Sequence, residues 1–497
     1  MKIKLPFTKR EFNFGFEQPA QRTTPVMRRR SFAAAALGRL QSDWASPQTS
    51  ADAEIGPVIR TLRGRSRELE RNNEYGQGYL CLLENNVLGA CGVQLEMKVM
   101  DPSGTMDNLA NDAIKAAWKE WCKRDYCTMS GTQCFREVEG MAVRQTACAG
   151  GLLIREHQNA DNKFGYSLEI IEIDCLDTDY NDNLRNGNQV RFGVEVNQWR
   201  KPIAYHVWSS HPGDSIQFAR LNRTRIVLQA TDTIHLFWKE RPDQTIGIPW
   251  ITSSMQALEH LAKYREAELV AARIAACKGY AIEQQVPSDY SGEVVGQDNR
   301  EEMQPGMTMM LDPGQEMKPL DPTHPNTAFG DFVKSALRGA AAGLRINYNS
   351  LANDLESVNY SSMRAGKLEE VEEYMGVQEW LIESLHARIF PNWLRMALLN
   401  SAIKMPNGSA LPLAKFDKFN APDWKPRRWP WVDPQKDLTA AIMAINNRIK
   451  SRRQVIAEMG GDITTVDQEQ AEDGDLNFVA KPVQGAIVQD SATPPNA

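Results

Sequence analysis

The sequence lacks the features of a membrane or exported protein. No stretch approaches the roughly 20 uninterrupted apolar residues that a membrane-spanning helix needs. The first 40 residues contain no apolar core followed by a small-residue cleavage site, as a secretory signal would. We therefore expect no membrane segment and no export signal. The 497 residues, 42% of them hydrophobic, allow about three folding units with sizeable cores.

The motifs of the common catalytic sites are also missing. There is no phosphate-binding GxxxxGK[ST], no GxGxxG after a strand, no HExxH and no GxSxG. The eight cysteines form no CxxC pair, and His157 does not complete a zinc-ligand spacing with them. We therefore predict reduced thiols, no metal site, no cofactor and no catalytic residue.

Acidic residues slightly outnumber basic ones overall, but the N-terminal end of the chain is basic. The net charge is −6, which argues against a DNA-coating protein, because such a protein neutralises phosphates with Lys and Arg. Met1 to Leu40 nevertheless carries nine basic and two acidic side chains. This arm can meet nucleic acid or an acidic partner surface. A flexible arm that packs on a neighbouring subunit, or on nothing, is an equally good interpretation.

One run of acids is the strongest candidate for catalysis. Its members are Glu169, Glu172, Asp174, Asp177, Asp179 and Asp182. A nuclease-like metal site needs carboxylates that converge from separate elements, whereas solvated acids and capped turns are typical of one strand and its turn. His206, His211 and His235 lie near acids in sequence, but no nucleophile accompanies them. We interpret them as ordinary strand histidines.

Hydrophobic periodicity predicts a helical first region and then a β region. From Gly151 to Trp238, short runs rich in β-branched and aromatic residues predict six or seven mostly antiparallel strands. Before them, four helices are predicted at Pro57–Arg71, Tyr79–Val87, Asp107–Cys122 and Thr132–Ala149.

Two long helices bracket an acidic insert. The stretch from Ile251 to Ile282 has no proline, and no glycine before Gly279, and predicts a helix of roughly 45 Å. The helical pattern resumes at Ala328 and stops near Asn347. Between them, Glu283 to Asp321 carries nine acids and two basic residues among many prolines and glycines.

The last third alternates polar and helical stretches. Asn347 to Ser362, called here the polar segment, is rich in Asn and Ser and is predicted to be a loop. A long helix should follow to about Ala402, kinked or interrupted by Pro391. Asp433-Pro434 predicts another helix start. The three tryptophans of the preceding connector, Trp424, Trp429 and Trp431, are expected to pack at the edge of a core rather than to stack on bases.

This order of parts resembles the portal proteins of tailed bacteriophages, specifically the lambda-type portal family. Each segment that carries the likeness is weak alone, but their order and spacing between about Arg60 and Asp475 are fairly specific. The segments are RNNEYGQGYLCLLENNVLGACGVQL (Arg71 to Leu95), the pair Trp118 and Trp121, IHLFWKERPDQTIGIPW (Ile234 to Trp250), LRGAAAGLRINYNSLANDLESVNYSSMRAGKLEE (Leu337 to Glu370), and Trp429 to Lys436 with the helix after it.

The resemblance implies an α+β, multidomain ring subunit. A ring of usually twelve copies would sit at one capsid vertex, in the virion, after assembly in the host cytoplasm. The implied partners are other copies of the chain, the terminase large subunit, the major capsid and scaffold proteins, head-to-tail connector proteins, and double-stranded DNA passing through the channel, with no membrane. The implied parts are a basic N-terminal arm (1–59), a mixed α/β wing (60–249, returning at 405–432), stem helices (250–282 and 328–346), a clip (283–327), a channel loop (347–362), a long kinked helix (363–404), a helical crown (433–475) and a flexible tail (476–497).

The same resemblance implies two sets of functional residues. The DNA-channel set is Lys334, Arg338, Arg345, Asn347, Asn349, Asn353 and Asn359. The motor and connector docking set, in the clip, is Glu293, Asp298, Glu301, Glu302, Asp312 and Glu316. For the three cations, a solvated helix face is an equally good interpretation.

Two hypotheses of other classes stay open at this point. One is a metal-dependent DNA-processing hydrolase that uses the acids from Glu169 to Asp182. The other is an adaptor that forms no ring and binds a partner through the acidic insert.

Overall fold

The computed structural model describes residues 48–214, 223–277, 328–356, 360–429 and 434–461, with 2–3, 12–13, 280–284, 315–319, 463, 466–467 and 470–471. The chain forms two compact units, Met1–Thr49 and Ser50–Ala497. In the first unit, Lys2–Ile3 pairs with Phe12–Asn13 as antiparallel strands. The second unit is a mixture of helices and antiparallel sheets, so the predicted α+β class is confirmed.

The second unit begins with helices whose ends follow from local side chains. The helices are Ala51–Ile55, Ile59–Asn72, Glu74–Leu88, Asn108–Trp121, Arg124–Cys127 and Phe135–Ala149. Asn73 accepts hydrogen bonds from the backbone N–H groups of Tyr75 and Gly76, and Asp107 accepts one from Ala110. Gly150, with φ 82°, ends the last of these helices in the left-handed conformation. The four predicted helices are therefore confirmed.

The β region forms two antiparallel sheets. A three-stranded sheet has the order Thr233–Leu236, Leu152–Gln158, Tyr166–Glu172. A five-stranded sheet has the order Arg225–Gln229, Pro202–Trp208, Val194–Val196, Gln189–Arg191, Asp182–Asn183. The described strands between 152 and 236 thus confirm the antiparallel prediction, with one strand more than expected. Further along the chain, Pro422–Lys425 returns to pair with Gln94–Met97.

Two helices, Met255–Cys277 and Phe329–Gly343, lie antiparallel and are called here the paired helices. At one end the Ser254 hydroxyl donates to the Ala340 carbonyl at 2.8 Å. Further along, the Tyr264 ring contacts Phe332, with centroids 4.9 Å apart. A 3₁₀ turn, Trp250–Ser253, precedes the first helix.

The first paired helix is shorter than predicted. It ends at Cys277, and Tyr280–Gln284 forms a strand antiparallel to Gln315–Pro319. The expectation that the helix reaches Ile282 is therefore wrong. Tyr, Ala and Ile tolerate either conformation, and pairing with a distant strand decides between them.

The long helix consists of Tyr360–Leu381, a π-helical turn at Ile382–His386, and Ala387–Leu399. A distortion at Pro391 was expected, because proline has no N–H to donate to the carbonyl four residues earlier. The structure places the irregular turn just before this position. The helix thus begins at Tyr360 and ends at Leu399, within a few residues of the predicted bounds near Ser362 and Ala402.

The main core joins the first helices, the three-stranded sheet and the long helix. At its centre the ring centroids of Trp118 and Trp393 lie 4.9 Å apart. The indole N–H of the buried Trp121 donates to the Tyr166 carbonyl at 2.9 Å. Trp424 and Trp429 pack against this core, as predicted, and Trp431 lies outside the described residues.

The chain then forms short elements and a pair of small helices. A 3₁₀ turn, Leu413–Lys415, and a helical turn, Phe416–Phe419, precede the returning strand. The C-terminal helices are Pro434–Asn446, which starts at the predicted proline, and Arg452–Glu458. Within the described ranges, no helix combines the length and apolar character that crossing a membrane requires.

Candidate nucleic-acid interface

The polar segment is partly helical rather than a loop. Tyr348–Ala352 is a helix, and the Asn347 side chain caps it by accepting from the Asn349 N–H at 3.0 Å. Leu351 is buried, and Asn353 ends the helix with φ 49°. The loop prediction is therefore wrong for these residues, because a cap and one apolar anchor outweigh a polar composition. Asn359 lies outside the described residues.

The candidate cation Lys334 is engaged by acids of the polar segment. Its Nζ lies 3.4 Å from a carboxylate oxygen of Glu356 and 3.7 Å from one of Asp354. The pair with Glu356 is largely exposed and contributes little to stability, whereas the Asp354 side chain is half-buried. They nevertheless place negative charge beside a lysine that would otherwise attract phosphate.

A tyrosine joins the same group. The Tyr348 hydroxyl donates to Asp354 at 2.8 Å, and its ring lies under the guanidinium of Arg338 at 5.4 Å. Burial and the hydrogen bond to Asp354 raise the pKa of Tyr348 to about 12. The same hydrogen bond lowers the pKa of Asp354. At neutral pH the group therefore holds an ionised Asp354 beside Lys334 and a neutral Tyr348 beside Arg338.

Arg345 lies in different surroundings from the other two cations. It is exposed, with φ 57°, and it lines a cavity of about 630 Å³ together with Asn347. The same cavity is lined by Glu369, Glu372 and Glu373 of the long helix. The structure thus brings Lys334 and Arg338 together around Tyr348, and it places Arg345 and Asn347 against glutamates.

The polar segment is anchored to the long helix through a residue that our sequence analysis missed. Buried Glu370 accepts from the Ser350 hydroxyl at 2.8 Å and from the Tyr374 hydroxyl at 2.6 Å. Gly366 lies so close to Asn347 that a Cβ would overlap the amide. The sequence signal for Glu370 is faint, since it is one of four glutamates within five residues.

Most of the candidate docking residues cannot be placed. Glu293, Asp298, Glu301, Glu302 and Asp312 lie outside the described residues. Glu316 lies in the strand Gln315–Pro319, opposite Glu283.

Glu172, Asp179 and Asp182 of the acidic run are exposed to solvent, as expected, and Asp182 accepts a hydrogen bond from the Asn183 N–H. Several members form ion pairs that were not expected. Glu169 contacts His157 at 2.7 Å, Asp174 contacts Arg67, Asp177 contacts Arg225, and Asp179 contacts Arg60 at 2.6 Å. These partners come from distant parts of the chain, so their positions cannot be read from a local pattern.

Within the described ranges, one group of three side chains has the spacing of metal ligands. Atoms of Glu172, Asp174 and His211 lie within 4.8 Å of one another. Arg67 contacts both acids, and buried Arg63 lies 3.4 Å from Asp174. Two guanidinium groups thus already supply the positive charge that an ion would bring.

The prediction of strand histidines is confirmed for two of the three and is wrong for His211, which follows the strand Pro202–Trp208. His206 and His235 lie in strands. Burial lowers the pKa of His206. Burial, reinforced by Arg63, lowers the pKa of His235 to about 3. Both side chains are therefore neutral at physiological pH.

Taken together, these features define a class of protein. The site has paired charges, capped turns and an anchored polar segment, and it lies next to antiparallel helices that carry a strand pair. The paired helices also expose large apolar side chains, such as Leu269 and Phe332, and this suits a subunit of a larger assembly.

Known proteins with similar sequences include portal proteins of bacteriophages. The sequence profile described as phage portal protein, lambda family, matches residues 37–378. A probable portal protein of Halomonas phage phiHAP-1 is 34% identical over 92% of this chain and 88% of its own length. Portal protein B of Escherichia phage lambda is 20% identical over 87% of this chain and 86% of its own length.

Solved structures from gene transfer agent (GTA) particles are also similar. One, the neck of an empty GTA particle with C6 symmetry, has a TM-score of 0.44 and 13% identity, covering 81% of this chain and 93% of the other. Another, the neck of a native GTA particle with C12 symmetry, has a TM-score of 0.41 and 13% identity, covering 80% and 93%.

The chain belongs to the lambda family of phage portal proteins. It is a structural head-to-tail connector subunit of the virion and part of an oligomeric ring, not an enzyme. The hydrolase hypothesis is therefore wrong, as is the hypothesis of an adaptor that forms no ring.

Proposed function

We propose that twelve copies of this chain form the ring and that double-stranded DNA passes through its centre during packaging and ejection. The terminase large subunit and the head-to-tail connector proteins dock on the clip. The major capsid and scaffold proteins surround the ring, which assembles in the host cytoplasm. The observation that carries this proposal is the arrangement of the paired helices. They lie antiparallel, and the chain that connects them contains an antiparallel pair of strands.

The paired helices suit the proposed stem. The first has 23 residues and is therefore about 35 Å long. Leu269 of this helix is 62% exposed, and Phe332 of the other is 54% exposed. Large apolar side chains on a rod need a covering surface, and a neighbouring copy in a ring supplies one. The strands at 280–284 and 315–319 would then form the base of the clip.

The remaining parts are assigned in the same way. Residues 60–249 form the wing, and the pairing of Pro422–Lys425 with Gln94–Met97 supports a return of the chain to it. The C-terminal helices belong to the crown, which we place at 433–475. The arm and the tail keep the bounds given by the sequence.

The DNA channel in this proposal is lined by the polar segment and the nearby cations. Lys334, Arg338 and Arg345 each lie beside acids or an aromatic ring, and the asparagines offer uncharged contacts. A conduit should not hold phosphates tightly, because each phosphate contact adds affinity and resists movement. Local neutralisation of Lys334 supports this role.

Imaging of the purified protein tests the ring. Cryo-electron microscopy should show an annulus with a central hole, and native mass spectrometry should give about twelve times 55.9 kDa. A particle without a hole, or a mass near that of one chain at micromolar concentration, would contradict the proposal.

A rescue design tests the channel. Asp354→Asn with Glu356→Gln should expose the charge of Lys334, slow packaging in vitro, and steepen the salt dependence of DNA retention by up to about 0.9 per new phosphate contact. Adding Lys334→Gln should restore the original rate. Packaging that is unchanged in the double variant would show that Lys334 does not face DNA.

Charge neutralisation tests the docking surface. Changing Glu293, Asp298, Glu301 and Glu302 to glutamine should abolish terminase binding while the ring still forms. The matched control neutralises Glu54, Asp112, Asp179 and Asp243, which are exposed acids outside the clip and the proposed channel. Equal terminase binding by both variants would remove the clip from the proposal.

A further inference from the structure

An apolar groove lies between the long helix and the C-terminal helices. It has a volume of about 850 Å³, and we call it the C-terminal groove. Val371 and Met375 line one wall, Ala440 and Ala444 another, and Val455 a third. Leu368, also in the lining, is 55% exposed, and Met375 is 41% exposed. The helix Pro434–Asn446 buries none of its residues. A groove of this kind is incompletely packed as it stands.

The charges around the C-terminal groove do not balance. Arg364 pairs with Asp437 at 2.7 Å, and Lys450 pairs with Glu458 at 2.8 Å. The two other cations of the lining, Lys367 and Arg428, form no ion pair with any described residue. The groove thus offers an apolar floor with two unpaired positive charges, which suits an acidic and apolar peptide.

The chain itself supplies such a peptide next to the groove. Arg452 contacts Asp467 at 2.6 Å and donates to Gln470 at 2.8 Å, so the last described residues lie against the helix Arg452–Glu458. That helix also lines the groove through Val455. The sequence continues for 26 residues after Ala471.

The first part of this continuation has the complementary chemistry. Residues 472–479 read EDGDLNFV, with Glu472, Asp473 and Asp475 and no basic residue, followed by Leu476 and Phe478. Leu476 is the fifth residue after Ala471, which allows up to about 17 Å of extended chain between them. The helix Arg452–Glu458 is only about 10 Å long. Leu476 and Phe478 can therefore reach the groove.

We propose that residues 472–479, which join the end of the crown to the start of the tail, bind in the C-terminal groove of their own chain, with Leu476 and Phe478 on the apolar floor and the acids beside Lys367 and Arg428. This segment then contacts both the long helix and the C-terminal helices. This proposal does not depend on the number of copies in the ring.

Site-specific photo-crosslinking in the full-length protein tests the occupant. With p-benzoylphenylalanine in place of Phe478, the crosslink should map by mass spectrometry to residues 364–375 or 437–455 of the same chain. Mixing isotopically light and heavy chains separates this from a crosslink between copies. A crosslink to another copy or to a different surface overturns the proposal, and so does the absence of any crosslink. As a control, p-benzoylphenylalanine in place of Ile487 should give no crosslink to the groove.

Hydrogen exchange provides a second readout that does not require the crosslinker. If residues 472–479 occupy the groove about nine-tenths of the time, the amides of 437–446 are open to exchange for about one-tenth of it. Phe478→Asp should therefore speed their hydrogen exchange by about tenfold. Ile487→Asp is the matched control and should leave the exchange unchanged. Met375→Glu should act like Phe478→Asp, and Met459→Glu, at an exposed position outside the groove, should not. Equal exchange in all variants overturns the proposal.

A charge exchange tests the register. Lys367→Glu should also speed exchange in 437–446, and adding Asp475→Lys should restore protection. Failure of the second change to restore it would show that Asp475 does not lie beside Lys367, and would overturn the proposed binding mode.

Discussion

Replacing Gly366 by alanine should give none of the stabilisation that the same change gives at Gly376. Both glycines lie in the helix Tyr360–Leu381. A Cβ at Gly376 would meet no atom within 4 Å, whereas at Gly366 it would overlap the amide of Asn347. The two variants therefore make the same chemical change in one helix, and they differ in whether the polar segment must move.

The magnitudes follow from two opposing effects. Glycine in the middle of an exposed helix costs about 1 kcal/mol relative to alanine, so Gly376→Ala should raise the free energy of unfolding by about that amount. Gly366→Ala has the same gain but displaces Asn347, which caps the helix Tyr348–Ala352. Loss of an Asn cap costs about 1 kcal/mol. Gly366→Ala should therefore be neutral or destabilising.

Urea denaturation of both variants measures this difference. In an Asn347→Ala background the obstacle is absent, and Gly366→Ala should then stabilise by about 1 kcal/mol, which a double-mutant cycle detects. Equal stabilisation by Gly366→Ala and Gly376→Ala in the original chain would refute the position assigned to Asn347.

Three further changes test the core. His386→Ala should lower the free energy of unfolding by about 3 kcal/mol, because buried Glu139 then loses its partner 2.7 Å away. In the same urea titration, Glu139→Gln should lower the free energy of unfolding clearly less. Trp393→Ala should cost about 3–5 kcal/mol, whereas Trp199→Ala, at an 80% exposed position, should leave the thermal midpoint unchanged. His235 is neutral in the fold and charges in the unfolded chain, so the stability should fall by up to about 1.4 kcal/mol per pH unit from pH 6.5 towards 3, and His235→Gln should flatten that slope in thermal scans. An unchanged slope in this variant would assign the acid sensitivity to other groups.

Elements with a local cause could be predicted from the sequence. Gly150 ends a helix because glycine tolerates a positive φ, and Pro434 starts one because its missing N–H is not needed there. Trp118 and Trp121 share the buried side of a regular helix, as their spacing predicts. Each of these outcomes depends on residues within one or two turns, so a single sequence contains the necessary information.

Elements with a distant cause could not be predicted. Ile282 belongs to a strand because residues 315–319 pair with it. Asp177 is buried because Arg225 reaches it from another strand. In the candidate site, Lys334 is neutralised by Asp354 and Glu356, 20 and 22 residues further along the chain. Sequence identifies the type of each side chain, but its charge partner depends on how the elements pack.

The pattern of ion pairs bears on how a portal subunit can enclose DNA without holding it. A channel lined by unpaired Lys and Arg would bind phosphates at every step, and the affinity would grow with each copy in the ring. A channel lined by unpaired acids would repel DNA and raise the energy needed to fill it. In the proposed channel, Lys334 with Asp354 and Glu356 would avoid both extremes, because the group presents charges of both signs within 4 Å. Such pairs are screened beyond a Debye length of about 8 Å at physiological salt, so DNA at the proposed channel axis would meet little net field from them. The resistance to DNA movement should then depend only weakly on salt, until the acids that neutralise Lys334 are removed.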